Sequence, residues 1–375
     1  MQLTDLVALS LLPNGRTRLA AAAAFADGAD GTLEAALAAL GSTTPPDPVR
    51  LRDDAQAALA RAHSAGIEIV GLGAHGYPPL LSQLPDSPLV LWVRGPSAAA
   101  PASPASPTGG GVLLRGFDGS TRLAVAVVGS RAASSVALRV ARRLGADLAS
   151  RGVDVVSGLA RGCDGEAHRG ALDAGGVTVA VLGNGVDVDY PPEHRELAGA
   201  VATTGCVVSE FAPGTPPLPP HFPLRNRIIS GLSRAVVVVE AGERSGSLTT
   251  AACALEQGRE VMVVPGPVLS GRNRGAHALI KDGAVLVESA DDVLLALGLG
   301  ERLSCTGCRV LLADDGDPVF AALDPDEGRD LDALVARSGL PPAHVLARLS
   351  ELELAGLAMR LPGALFLRPD RKVIT

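Results

Sequence analysis

From residue 123 to residue 264 the chain alternates short, unbroken apolar runs with stretches of helical period. The runs are Leu123 to Val128, Val153 to Val156, Val177 to Leu182, Cys206 to Ser209, Ala235 to Val239 and Val261 to Val264, and Ala/Leu-rich segments such as Ser134 to Ser150 separate most of them. Such runs suit strands and are too short for helices, and strands apolar on both faces need helices packed over each face. The pattern predicts an α/β protein with a doubly wound parallel sheet. Ligands on such sheets bind beyond the carboxyl ends of the strands. Each run here ends in a Gly, Ser or Arg cluster.

The pattern changes on either side. Residues 3–40 read as short helices broken at Pro13-Asn14-Gly15 and at Gly28 to Gly31, and Asp53 to Ala65 is a further helical stretch. Together they predict a small helical, SAM-like module over residues 1–66. Ile67 to Leu72 and Leu89 to Val93 read as strands flanking Tyr77-Pro78-Pro79, which starts the sheet domain, expected over 67–300. Within it, residues 96–111 are almost all Pro, Ala, Ser and Gly, the composition of a mobile loop. Residues 314–375 fit a winged-helix domain. Its helices are Asp330 to Arg337 and Ala343 to Leu354, with Gly356 to Leu367 as the wing and Leu331, Leu334, Leu346, Leu349 and Leu352 as the core stripe.

Composition removes several classes of function. No apolar run approaches the ~18 residues that span a bilayer. Leu19 to Ala26 is followed by Asp27 and Asp30 where a signal peptide would need small residues, so a cytoplasmic protein that does not engage a membrane is expected. Lys281 and Lys372 are the only lysines, and neither sits in a G-x-x-x-x-G-K-[ST] loop, which excludes a Walker-type ATPase. Cys163, Cys206 and Cys253 are isolated; Cys305 and Cys308 form one C-x-x-C with no second ligand pair at a standard spacing. No metal and no cofactor are expected.

The net charge of -7 disfavours attraction of the whole chain to a polyanion, yet the charge is unevenly spread. Residues 122–170 hold eight arginines against four acids, residues 225–275 seven against four, and residues 314–360 four against ten. A polyanion site belongs to the middle of the chain. There Gly129-Ser130-Arg131 follows the first run and opens a helix, a place where a glycine admits a ligand, helix amides face an anion and an arginine adds a bidentate fork. Ser245-Gly246-Ser247-Leu248-Thr249 repeats the arrangement after Val239, with Arg225 and Arg227 near in sequence. Two such openings on one sheet edge point to a phosphate groove. Gly183-Asn184-Gly185 lacks the third glycine and the helix of a dinucleotide fingerprint.

Six ordered motifs then carry a resemblance. They are Val127-Val128-Gly129-Ser130-Arg131; Ser157 to Asp164 with Ala167-His168; Phe222 to Ser233; Val239-Glu240-Ala241 with Ser245 to Thr249; Gly258-Arg259-Glu260-Val261; and Val264-Pro265-Gly266. Over about Tyr77 to Val293 the chain resembles the DNA-processing protein A (DprA/Smf) family. The resemblance implies an extended Rossmann-like domain that binds single-stranded DNA without nucleotide hydrolysis and loads a RecA-type recombinase in natural transformation, with a homodimer formed through that domain. It implies a site of Gly129, Ser130, Arg131 and Ser134, with Arg161, Arg225, Asn226, Arg227, Ser245, Gly246, Ser247 and Lys281 as neighbours. The chain departs from the usual family pattern at Val136-Ala137, Cys163, His194 and Ala276-His277.

A rival of another class is a nucleotide-processing phosphoribohydrolase of the lysine-decarboxylase-like type, which resembles P-G-G-x-G-T-x-x-E. Aligned on Gly246-Ser247, its acidic position falls on Thr250, so the carboxylate is missing. Glu240 and Glu256 remain and are expected to anchor a strand end and to lie on an ordinary helix. With aromatic residues at 2% of the chain, Tyr190, Phe211 and Phe222 are expected in the core, leaving recognition to phosphate contacts and arginine stacking. The acidic winged helix is expected to serve a protein contact or regulation rather than groove reading.

Overall fold

The computed structural model describes residues 3–12, 33–39, 46–74, 76–95, 123–299, 318–324, 328–354, 358–361 and 365–367. The expected loop 96–111, the break at 13–15, the pair Cys305 and Cys308, and Lys372 lie outside them. The chain divides into two compact units, Met1–Thr306 and Gly307–Thr375.

In the first unit, α1 (Leu3–Ser10), α2 (Leu33–Ala39) and α3 (Pro48–Ser64) precede the sheet. α3 starts where its pattern demands: Asp47 accepts the Val49 amide at 2.9 Å and Pro48 fills a position needing no donor. Arg52 of α3 reaches Asp5 at 3.0 Å and Glu34 at 2.7 Å, joining the three helices. Leu6, Leu9, Leu33 and Leu37 share one core with Trp92, Ala180, Leu182 and Val207 of the sheet, so these helices cover a sheet face.

The sheet has nine strands: β1 (Glu68–Gly71), β2 (Val90–Arg94), β3 (Ala124–Val128), β4 (Asp154–Ser157), β5 (Thr178–Leu182), β6 (Cys206–Ser209), β7 (Ala235–Val238), β8 (Glu260–Val263) and β9 (Val285–Leu286), in the order β1-β2-β6-β5-β4-β3-β7-β8-β9. β3 to β8 run parallel, as the apolar runs predict, and β9 extends the parallel set. β1 and β2 are an antiparallel addition at one edge. The short link between them, with α4 (Pro79–Ser82) and a Tyr77 hydroxyl that donates to the Pro88 carbonyl at 2.7 Å, is a compact return.

Alternation along each strand divides the core. Val125 and Val127 pack with Leu144 and Leu148 of α5 (Ser135–Ser150) and Ala167 of α6 (Cys163–Asp173). Ala126 and Val128 point the other way, towards Ile228 and Ile229 of α8 (His221–Gly231) and Ala251 of α9 (Gly246–Glu256). α7 (Arg195–Thr204), α10 (Arg274–Lys281) and α11 (Ala290–Ala296) complete the layers. From β3 the chain winds outward through β4, β5 and β6, then crosses back to β7 on the opposite side of β3. The boundary between β3 and β7 is the topological switch point, where such sheets open a crevice.

The second unit holds α12 (Pro318–Ala322), α13 (Leu331–Ser338), α14 (Pro342–Leu354) and the hairpin of β10 (Met359–Leu361) with β11 (Leu365–Leu367). Asp330 caps α13 by accepting the Ala333 amide at 2.8 Å. Leu334, Val345, Leu349, Leu352 and Phe366 form its core. Leu346, expected in that core, is 45% exposed. The inward stripe of α14 is Val345, Leu349 and Leu352, at i, i+4 and i+7, and the next residue is rotated about 100° away from it.

Candidate nucleic-acid interface

A cavity of about 740 Å³ opens at the switch point, between the residues that follow β3 and those that follow β7. Eight of the residues expected at the site line it: Gly129, Ser130 and Arg131 after β3, Arg225 and Asn226 on α8, and Ser245, Gly246 and Ser247 at the start of α9. Arg161 lines a smaller chamber of about 70 Å³ that shares Arg131, Tyr190, Phe222 and Arg225 with the first. Ser134, Arg227 and Lys281 line neither. Three arginines, Arg131, Arg225 and Arg244, stand against one acid, Asp164, so the lining is cationic in a chain that is acidic overall. Arg244 was not singled out in the sequence; its place two residues after Gly242, at the mouth of the second opening, was the available signal.

The arginines differ in what surrounds them. Arg131 is exposed and forms no ion pair among the described residues, and its guanidinium lies over the Phe222 ring. Arg225 is 3% exposed; its Nη1 donates to the Gly158 carbonyl at 2.8 Å and to the Val181 carbonyl. Burial pulls the Arg225 guanidinium down to about 10, which leaves it cationic at neutral pH. Asp164, also buried, accepts the Gly158 amide at 3.1 Å; burial raises its pKa and the charge of Arg225 opposes the rise. Arg227 is held by Glu210 at 2.7 Å and Asp86 at 3.2 Å, and Arg161 by Glu193. The hydrogen bond from Arg161 holds the Glu193 carboxyl down at about 2. Lys281 is exposed at the end of α10.

The two helix openings are not equivalent. The sequence suggests that amides at the start of the first helix face the ligand, but that helix begins only at Ser135. The Ser134 amide donates to the Glu240 carboxylate at 3.1 Å and the Ala137 amide to Ser134 Oγ at 3.2 Å, so the protein supplies its own anion and cap there. The Ser130 amide is engaged by the Glu240 carbonyl at 2.8 Å. The start of α9 also has a serine cap, Ser245 Oγ accepting the Ser247 amide at 3.4 Å, but no carboxylate is bonded to it among the described residues: Gly246 is exposed on the cavity wall, Ser245 and Ser247 share a hydroxyl hydrogen bond of 2.8 Å, and Asn226 braces the Gly246 carbonyl at 3.3 Å.

The aromatic residues depart from expectation as well. Phe211 is buried, stacked on His221 with centroids 4.1 Å apart. Tyr190 and Phe222 instead are half-buried on the cavity wall, their centroids 5.4 Å apart. Phe222 opens α8 at the rim, so an aromatic face sits beside the free arginine, a combination suited to an unstacked base or a sugar. Of the acids, Glu240 is engaged with the Ser134 amide just before α5 and Glu256 is exposed at the end of α9, while the uncharged Thr250 stands in the wall. Cys163 is buried and its thiol is pushed up to about 12 by burial, far from a nucleophile's range. The described residues hold no cluster of metal-ligating side chains and no helix long and apolar enough to cross a membrane.

The chain matches known proteins across these elements. The family described as DNA recombination-mediator protein A matches residues 117–298, and the DprA winged helix domain matches residues 311–364. Protein Smf of Escherichia coli K12 is 43% identical over 295 residues, 76% of this chain and 74% of its own length. Among solved structures, DNA processing protein A of Streptococcus pneumoniae aligns with a TM-score of 0.63 at 33% identity, over 79% of this chain and 98% of that one. The Helicobacter pylori protein, described by its single-stranded DNA binding mode, aligns with a TM-score of 0.51 at 24% identity, over 61% and 95%. At that identity the likeness concerns the fold.

Proposed function

Since the chain belongs to the DNA recombination-mediator protein A (DprA/Smf) family, we propose that it binds single-stranded DNA in the switch-point cavity and works as a recombination mediator without catalysis. One observation carries this reading: a cavity lined by three arginines against one acid, at the start of α9, beside an aromatic wall. Phosphates would meet Arg131, Arg244 and the Ser245 to Ser247 turn, and a base or sugar would lie against Phe222 and Tyr190. A recessed cleft suits a flexible single strand and excludes a stiff duplex. Ser134 and Arg227 support the walls, and Arg161 borders the smaller chamber. Loading of a RecA-type recombinase during natural transformation, a homodimer through the Rossmann-like domain and a cytoplasmic location complete the proposal, on the strength of the family.

The one acid of the cavity lining, Asp164, is taken up by the Gly158 amide, Glu240 nearby is engaged by the Ser134 amide, and the alcohol at 250 carries no charge, which supports a binder over a hydrolase. The test is an electrophoretic shift of the full chain with single-stranded and duplex DNA over a salt series. Preference for the single strand, with affinity falling steeply as salt rises, is expected. Equal binding to duplex, or no dependence on salt, would refute the reading.

A further inference from the structure

We propose that Arg225 and Asp164 form a buried latch that positions the Gly129 to Arg131 turn, and that Arg225 acts on bound DNA through that turn rather than by touching phosphate. The inference rests on the reading of the cavity as a DNA site, and it assigns one of the expected phosphate ligands a different task.

The loop from Gly158 to Gly162 joins β4 to α6 and contains Leu159 at φ 54°, a left-handed conformation that is strained for a leucine, with the side chain 1% exposed. Several contacts hold it there. Asp164 Oδ2 accepts the Gly158 amide at 3.1 Å, Arg225 Nη1 donates to the Gly158 carbonyl at 2.8 Å, His194 Nδ1 bonds the Leu159 carbonyl at 2.9 Å, and the Gly165 amide donates to the Ala160 carbonyl at 3.1 Å. Gly158 lies between the two charges: a Cβ there would be 2.5 Å from Arg225 Nη1 and 2.7 Å from Asp164 Oδ2. Only a residue without a side chain lets both close on the backbone of one residue, Asp164 on its amide and Arg225 on its carbonyl.

The far end of the same loop supports the Arg131 turn. Gly162 has φ 80°, and a Cβ at that position would overlap the Ser130 carbonyl oxygen. The Cys163 amide donates to that same carbonyl at 3.2 Å. Ser130 and Arg131 therefore rest on a loop whose shape is set by Arg225 and Asp164. The helix that carries Arg225 also presents Phe222 beneath Arg131 and Asn226 against Gly246, so α8 meets both lips of the cavity. Arg225 itself is poorly placed to grip a ligand: it is 3% exposed, its Nη1 already serves two carbonyls, and its Nε is buried with no hydrogen-bond partner. Asp164 also feels the charge of Arg131, so one carboxylate lessens the repulsion between the two guanidiniums.

Arg225→Lys in the full chain is the test, since lysine keeps the charge but lacks the rigid planar guanidinium that holds Nη1 between the Gly158 and Val181 carbonyls. Affinity for single-stranded DNA should fall roughly five-fold, a typical coupling between touching groups, with the salt dependence unchanged. Arg131→Ala combined with Arg225→Lys should bind no more weakly than Arg131→Ala alone. Hydrogen exchange should quicken both at 158–163 and at 129–133. Additive losses in the double variant would make Arg225 a direct phosphate ligand and overturn the latch. Exchange confined to 158–163 with unchanged affinity would reduce the pair to plain packing and overturn it too. Asp164→Asn, read in the same way, decides the matter if the lysine variant does not fold. Should the wild type fail to bind single-stranded DNA, the reading of the cavity falls, while exchange at 129–133 still decides whether the latch transmits.

Discussion

The Arg131 guanidinium lies 5.1 Å from the centroid of the Phe222 ring. Its cation is thus steadied on one side by an aromatic face, and among the described residues it forms no ion pair on the cavity wall, as in a stacked phosphate clamp. Arg131→Ala should weaken single-stranded DNA binding about tenfold or more, since a charge-assisted contact contributes ~1.5 to 3 kcal/mol. The salt slope should become shallower by about 0.7, and the melting temperature should hold, because the residue is exposed. Filter binding over a salt series and a thermal scan measure both.

Phe222→Leu keeps the apolar bulk of the wall and removes its π face. Affinity should drop two- to five-fold, in line with ~0.5 to 1 kcal/mol for an exposed cation–π contact, with the salt slope unaltered. A change of slope would mean that the ring acts only by placing Arg131 on a phosphate.

Deleting residues 314–375 should leave affinity equal or slightly higher, because residues 314–360 carry ten acids against four arginines. The C-terminal unit has its own core of Leu334, Leu349 and Phe366, so its loss should not unfold the sheet. Titration of the truncated chain with a labelled oligonucleotide checks this; a large loss would assign DNA contacts to the winged helix.

Incubation with AMP should release no adenine. Glu240→Gln should therefore alter melting behaviour rather than any turnover, since it weakens a carboxylate seated on the Ser134 amide at 3.1 Å. Release of adenine at a catalytic rate, abolished by substituting Glu240 or Glu256, would revive the hydrolase reading.

His168 links stability to acid. It is buried, bonded through Nδ1 to Thr178 Oγ1 at 2.7 Å, and burial pulls its pKa down from 6.5 to about 3. The unfolded chain takes up this proton first, so stability is full above pH 6.5 and declines as pH falls towards 3, by at most about 5 kcal/mol from this group. Urea titrations at pH 7 and pH 5 should show His168→Gln less stable than wild type at pH 7, with the gap narrowing at pH 5.

The apolar runs made the parallel strands legible, because nothing but a doubly covered sheet uses so many Val-rich tetrads. They were silent on β9, two residues long and exposed, and on the direction of β1 and β2, which depends on how tightly residues 72–89 fold back. At the candidate site, residue type pointed to Arg131 and the Ser245 turn, which the fold places on the cavity wall because each follows a strand. It did not separate Arg131 from Arg225, since the burial of Arg225 arises only when α8 docks against the Val181 carbonyl of β5. Tyr190 and Phe222 were assigned to the core because composition weighs a residue by its kind, while their position on the wall is a tertiary fact.

The placement of the cavity at the switch point also dictates when it comes into existence. Its walls belong to opposite halves of the sheet, and the hydrogen bond that joins them, from Ser134 to Glu240, spans 106 residues of chain. A nascent polypeptide lays down β3, β4, β5 and β6 before β7 is available to pair with β3. At roughly 5 to 20 residues per second, that interval lasts several seconds on the ribosome. Until it ends, one edge of β3 is unpaired and Arg131 faces no opposing wall. The ability to hold DNA is acquired late and all at once, when the two halves of the sheet close on each other.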